Sequence, residues 1–557
     1  MVRTFFIFLC LLLFTSSCKQ RKHIGQKIIV QAPAEINKSA TEIIQDALAD
    51  FLEGNTPNGD FTNTSNIRLV KKLYSNRSFL PIWSSNGQWT EPGDSLFSLL
   101  ESSLQFGLFP QDYHANRISE LRHVLTADTG FSSAKLDAAL WAEADLYLSF
   151  AFTQIIKDLK IGRIRDSVTL KKDSILGNEF IERQLKLFEQ LEHIDSFTVQ
   201  LEPKHQGYHL LKAKLREFLL TADFRQYTYV DPKDSIRLNT LLWQRLKEDS
   251  LIRDSVSFDT TALKTAIKKY QKKKSLKTDG KVSSQLIGAL NQTDAEKFIR
   301  IAISLDRFKQ LPDSLPARHL WVNIPGYYML LKESDTVRLQ SKVVVGKPET
   351  RTPVLSSVIT DMITYPQWTI PLSIIKKDIL PGLKKDPGYT RKKGFSLIGK
   401  DGVEVDPYLV DWTKYKEEIP YKVVQGSGDD NALGVMKFNF SNKYAVYLHD
   451  TNQRYLFAKK NRALSHGCVR VQNWDSLAYF FLKTDSIAGL NTPPADSLKA
   501  WLERKEKHVI PVRKRIPLFI RYFTSEVKDD ELVFYEDVYG EDRKVRDKYF
   551  SNKTISL

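Results

Sequence analysis

The hydrophobic period of this chain changes once, near Leu320, from three or four residues to two. That change limits the fold more than any other feature, because a helical stripe and a pleated face need different spacings of apolar side chains. From Thr41 to about Ala222 the spacing is helical. Leu136, Leu140, Ala144, Leu148, Ala151, Ile155 and Leu159 mark one face, and Ile181, Leu185, Phe188 and Leu191 another. Beyond Leu320, Gly434 to Phe440 alternates strictly, and Tyr444 to Leu448 follows after a short polar turn, so the two read as a hairpin. Helices followed by strands imply a multidomain α+β protein. At 557 residues three or four domains are expected, and 42% hydrophobic content is ample for their cores.

The divisions follow composition. Residues 1–17 read as a signal segment and 18–40 as a polar, basic tether. Residues 41–231 form a helical scaffold and 232–293 a small helical unit. Residues 294–488 form a β-rich domain interrupted by an insertion at 374–428, and 489–557 a C-terminal extension. The insertion carries eight lysines or arginines between Lys376 and Lys400, with apolar anchors at Ile379, Leu380, Tyr389 and Phe395. An ordered cap is the expectation.

Arg3, the apolar run Phe5–Phe14 and the small residues Thr15-Ser16-Ser17 make a secretory leader, too short to span a bilayer. Cys10 and Cys18 fall in or just after it. Cys468 stands alone 450 residues later. Exported proteins normally pair their cysteines, so a solitary thiol in Ser465-His466-Gly467-Cys468 reads as a nucleophile. The net charge of +16 points to an anionic polymer or anionic headgroups, and export points away from nucleic acid. His205 and His209 stand four apart without an acidic partner to complete a zinc motif, so no metal and no cofactor is expected.

A thiol of ordinary pKa is only a few per cent ionised at neutral pH. Full ionisation therefore gains at most about 2 kcal/mol of the roughly 8 that catalysis requires. Cys468 needs a base and oxyanion donors. His449, separated from Ser465 by fifteen residues, is the first candidate base. His466 is the second, since two residues apart on an extended strand share a face. Gly467 leaves room for close approach.

The span Tyr447-Leu448-His449-Asp450-Thr451 through Ser465-His466-Gly467-Cys468-Val469-Arg470 resembles the motif of the L,D-transpeptidase (YkuD-type) family. Asn431-Ala432-Leu433-Gly434 and Pro366-Gln367-Trp368-Thr369-Ile370-Pro371 are similar to other segments of that family, and the helical N-terminal region suggests its large scaffold-bearing branch. The resemblance implies Cys468 as acyl-accepting nucleophile and His449 as general base, oriented by the Asp450 carbonyl. It implies His466 as support and the Gly467 and Cys468 amides as oxyanion donors. Ser465, Asp450, Asn431, Arg470 and Trp368 would meet substrate, with Arg470 open equally to bracing the site and Trp368 weighed more as core than as substrate platform. The implied reaction releases D-Ala from a tetrapeptide stem and forms a 3→3 peptidoglycan cross-link, with carbapenems acylating the same cysteine.

Tyr270-Gln271, Asp279-Gly280 and Leu290-Asn291 resemble a three-helix peptidoglycan-binding module, and Thr15-Ser16-Ser17-Cys18 a bacterial lipoprotein signal. The second resemblance implies a lipid on Cys18 and a membrane-anchored periplasmic protein. Three alternatives remain open at the sequence level: an L,D-carboxypeptidase, an enzyme attaching or releasing wall proteins, and a non-catalytic wall-binding scaffold.

Overall fold

The computed structural model describes residues 24–57, 60–127, 133–164, 176–190 and 193–550, with Lys553 and Ile555. The leader, Cys10, Cys18 and Leu191 lie outside the described residues. The chain divides into two compact units, Met1–Glu202 and Pro203–Leu557. It is a multidomain α+β protein, helical in its N-terminal part and β-rich beyond.

The first unit is built on the helix Ala138–Ile161, of whose 24 residues 21 are buried. The one-stripe reading was therefore too narrow, because neighbours cover this helix on every side. Ile36–Leu52, Thr64–Ser75, Glu91–Glu101 and Ala115–Thr126 all pack on it. Asp137 starts it by accepting from Ala139 N at 3.1 Å. Inside the helix, Asp145 is fully buried and accepts from Tyr74 Oη, from the backbone N–H groups of Ile82, Trp83 and Ser84, and from Ser84 Oγ. Burial raises its pKa to about 6 against those five donors.

The second unit begins with the helix Gln206–Leu219, which packs on the helix Asp294–Lys309 and on the strand Ser525–Lys528. The last helix of the expected scaffold thus joins the β-rich unit. Leu238–Glu248, Thr260–Lys273 and Ser284–Asn291 form a three-helix body around Leu242, Leu246, Ile267, Tyr270, Leu286 and Leu290. Its signature polar residues hold it together. Gln271 Oε1 accepts from Gly280 N at 2.8 Å and closes the Asp-Gly turn, while Asn291 pairs both ways with the backbone of Val230. Val282 is exposed and precedes the third helix, which Ser283 caps.

The main sheet closes on itself. In order its strands are Met436–Phe440, Leu448–His449, Val469–Val471, Thr336–Gly346, Tyr328–Glu333, Arg318–Asn323, Pro517–Arg521 and Leu355–Thr364, and the last pairs with the first. Side chains alternate into its centre, as Met436, Phe438 and Phe440 do, and the helix Trp474–Ile487 covers one side through Leu477, Ala478 and Phe481. Residues 489–557, expected as an extension, supply Pro517–Arg521 between two central strands and Val509–Pro511 at Leu355–Thr364. The ring is incomplete without them.

The insertion is an ordered cap with its own sheet, Trp368–Thr369, Lys422–Gln425, Phe395–Ile398 and Glu404–Val405, over a core of Ile375, Ile379, Leu383, Leu397, Trp412 and Val423. It starts at Trp368, six residues before the expected boundary, because Trp368–Thr369 pairs with Lys422–Gln425.

Candidate active site

Three strand ends build the site. Leu448–His449 runs parallel to Val469–Val471, with His449 opposite Arg470, and antiparallel to Met436–Phe440, with His449 opposite Lys437. The hairpin is there, but its second strand is only two residues long. Asn442 folds the preceding segment by bonding Phe440 O, Val446 O, Tyr444 N and Val446 N, and Ala445 has φ of +54°.

Ser465 to Cys468 is a bend rather than an extended strand, because Gly467 has φ of +120°, a region that L side chains rarely adopt. Ser465 Oγ clamps the bend, donating to Cys468 O at 2.6 Å and accepting from Gly467 N at 3.1 Å. Thr352 Oγ1 donates to Gly467 O at 2.8 Å, and Thr350 Oγ1 to Ser465 O at 3.0 Å. The thiol is thereby fixed at the end of a rigid turn. Gly467 N–H is committed to Ser465, whereas Cys468 N–H has no partner among the described residues.

Cys468 and His449 line one narrow pocket of about 70 Å³ with Tyr447, Arg470, Trp368 and His466. Burial pushes the Cys468 thiol up. Hydrogen bonds from the backbone and hydroxyl of Tyr447 and the charges of Lys437 and Arg470 pull it partly back. Burial and the adjacent Arg470 charge lower His449 to about 3, against a smaller opposing influence from the backbone at Asp450 and Leu433. His449 Nδ1 is buried without a hydrogen-bond partner, so the backbone acts on the ring without a bond of normal geometry. Both shifts favour the uncharged forms, thiol and imidazole. Lys437 lies over the Tyr447 ring at 4.1 Å, and that ring meets His449 edge-on at 5.7 Å.

The other expected residues take distinct places. His466 Nε2 bonds Asp378 Oδ2 at 2.9 Å, which ties the catalytic bend to the cap. Arg470 donates from Nη1 to Gln453 Oε1 at 2.9 Å, while its Nε is buried and unpartnered. Trp368 is half-buried on the cap core and also lines the pocket. Asn431 is buried and does not line it, for its amide is spent on Pro366 O, Gly426 O and Leu433 N. The Asp450 carboxylate points away to Arg454, at 2.8 Å, and to Val435 N. Gly434 lets that carboxylate approach: its φ is +63°, and a Cβ there would stand 2.3 Å from Asp450 Oδ2.

Tyr447, Lys437 and Asp378 were not singled out from sequence. Lys437 was within reach, since the register of the expected hairpin places it opposite His449. His205 is a buried helix cap and His209 follows one turn later. Among the described residues no group of three or more His, Cys, Asp or Glu could hold a metal ion. Among them also, no helix is long and apolar enough to cross a membrane.

Residues 317–483, which contain every side chain of this pocket, match the family model of the L,D-transpeptidase catalytic domain. The chain carries an L,D-transpeptidase catalytic domain. Residues 68–215 match the model of a scaffold domain. A Haemophilus influenzae protein named "Putative L,D-transpeptidase" is 37% identical over 246 residues, 44% of this chain and 48% of that relative. The match thus spans about half the length of the curated relative. The L,D-transpeptidase domain as matched ends at residue 483, before the two C-terminal strands that join its sheet.

Proposed function

We propose that the protein is an L,D-transpeptidase that joins peptidoglycan stems by 3→3 cross-links through a thioester on Cys468. In this reading His449 takes the thiol proton as sulfur attacks the carbonyl of the third stem residue. Cys468 N–H, with no competing partner, donates to the developing oxyanion. The tetrahedral intermediate collapses, the C–N bond to the terminal D-Ala breaks, and His449 returns the proton to the leaving amine. An amine of a second stem then attacks the thioester and restores the thiol. Arg470, whose Nε is buried without a partner, binds a stem carboxylate. Trp368 forms the cap-side wall.

The observation that supports this reading most is that Cys468 and His449 line one pocket inside the matched domain. Incubation with purified stem tetrapeptide tests it. A cross-linked dimer with released D-Ala is the expected product. A tripeptide alone would assign a carboxypeptidase, and unchanged substrate with unmodified Cys468 would remove the enzymatic reading.

The same reading places the protein in the cell envelope, held by a lipid on Cys18. Cells fed labelled palmitate should yield labelled protein, and Cys18→Ala should lose the label. Equal labelling of both forms would rule out this anchor.

A further inference from the structure

The catalytic bend is held from a part of the chain that the matched domain leaves out. Gly467 C=O and Cys468 N–H belong to one planar peptide unit, so whatever holds the oxygen also aims the N–H. That oxygen accepts from Thr352 Oγ1 at 2.8 Å. The same Oγ1 accepts from Gly346 N at 2.9 Å, so its one proton is left for Gly467 O.

Thr352 is held in turn by Tyr539. Tyr539 Oη accepts from Thr352 N at 3.1 Å and donates to Gly346 O at 2.7 Å. Four buried hydrogen bonds thus tie Tyr539, Thr352 and Gly346 together and end on Gly467 O. Each hydroxyl accepts one bond and donates one, so neither can turn without breaking the set. The crossing is tight. A Cβ at Gly346 would stand 2.1 Å from Thr350 O and 2.7 Å from Thr352 N. Burial raises the Tyr539 hydroxyl above its ordinary pKa, against smaller opposing influences from Thr352 and Arg351, so it keeps the proton it donates.

Tyr539 is itself anchored to the barrel. It is buried, and its backbone N–H donates to Tyr522 Oη at 2.9 Å, while that hydroxyl donates to Asp537 Oδ1 at 2.6 Å. The two tyrosine rings stack 5.6 Å apart. Tyr522 directly follows the barrel strand Pro517–Arg521. Arg351 lies over the Tyr539 ring at 5.4 Å and pairs with Glu541. Tyr522, Asp537, Tyr539 and Glu541 all lie beyond residue 483, where the matched domain ends.

Glycine gives the bend a freedom that catalysis does not want. With φ of +120° at Gly467, the next peptide unit is held by few steric walls of its own. An oxyanion donor is effective when it is already aimed as charge develops. A hydrogen bond to the carbonyl end also polarises the N–H at the other end.

We propose that Tyr539 is a positioning residue for the oxyanion donor: through Thr352 it fixes the peptide unit whose Cys468 N–H receives the developing charge. The proposal rests on the function given above and adds to the site a residue from the C-terminal segment.

The test compares two reactions of Cys468 in the full-length protein. Acylation by the carbapenem meropenem passes through an oxyanion. Alkylation by iodoacetamide displaces iodide from a saturated carbon and forms none. Both are followed at Cys468 by peptide mass mapping. Tyr539→Phe removes one oxygen and keeps the ring. It should slow acylation about tenfold, a fraction of the 10²–10³ that follows loss of an oxyanion donor, and leave alkylation within about twofold of the wild type. Thr352→Val should slow acylation about 10²-fold, and Thr352→Ser, which keeps the hydroxyl, should restore most of the rate. Combining Tyr539→Phe with Thr352→Val should add little to Thr352→Val alone, because the two act in series. Equal acylation by Tyr539→Phe and the wild type would overturn the relay. So would an equal loss of alkylation, which marks a general loosening of the bend. A wild type that is alkylated but resists both meropenem and tetrapeptide would instead remove the enzymatic reading, and the relay with it.

Discussion

Cys468→Ala should abolish both cross-linking and covalent meropenem adducts, a loss of about 10⁶-fold or more, as when a nucleophile is removed from a catalytic group that acts as a unit. The expectation rests on the place of the sulfur. Cys468 is the one cysteine among the described residues, and Sγ faces the pocket at the end of a bend that Ser465, Thr350 and Thr352 hold by backbone bonds the substitution leaves intact. Loss of one partly exposed sulfur should cost about 1 kcal/mol of stability, so the variant remains folded at assay temperature. Intact-mass measurement after meropenem separates the cases. An adduct on the alanine variant would place the acylated group elsewhere.

Some of the architecture was legible because it is written locally. The strict alternation of Met436–Phe440 puts Met436, Phe438 and Phe440 inside the barrel, and the Asp279-Gly280 turn needs a local partner, which Gln271 supplies. The helix Ala138–Ile161 was legible as a helix. Its all-round burial was not, because polar residues such as Asp145 and Ser149 enter its core through bonds to Tyr74 and Trp83, more than sixty residues away. The central strand Pro517–Arg521 was missed for a related reason. A short apolar run near the C-terminus carries no sign of which strands it will separate, and its partners lie about 160 to 200 residues earlier.

The site divides in the same way. Cys468 and His449 stand near one another in a recognisable sequence pattern, but Ser465 to Cys468 reads as extended, and the φ of +120° at Gly467 turns it into a bend. Tyr447 and Lys437 matter through cross-strand register, and Asp378 through the folding of the cap back onto His466. The Asp378 contact has no sequence spacing, whereas that of Lys437 follows from the hairpin register. Asn431 illustrates the converse: it lies in a family-like segment, yet its amide is consumed by the loop that positions Leu433 beside His449.

His449→Ala is the second large effect, an expected 10²–10⁴-fold loss in acylation rate, the usual worth of a positioned general base. In this mechanism thiol and imidazole start in their neutral forms, and the proton moves only as the C–S bond forms. Burial supports this on both sides, raising the thiol and lowering the imidazole to about 3. The sign of the pH dependence follows. A base whose folded pKa is about 3 is already unprotonated at pH 5, so no rate is gained by titrating it near pH 6.5. A thiol raised above its ordinary value adds no neutral-pH limb, because the neutral form is the one that reacts.

The deciding measurement is the single-turnover rate of Cys468 acylation by meropenem from pH 5 to pH 8, in the wild type and in His449→Ala. The account predicts a wild-type rate flat to within about twofold. It also predicts a variant that is slow at pH 5 and gains roughly tenfold per unit as hydroxide supplies the thiolate that His449 no longer helps to form. A wild-type rate that climbs tenfold between pH 5.5 and 7.5 would contradict the neutral pair, and a His449→Ala variant retaining that rate would take the role of base away from His449.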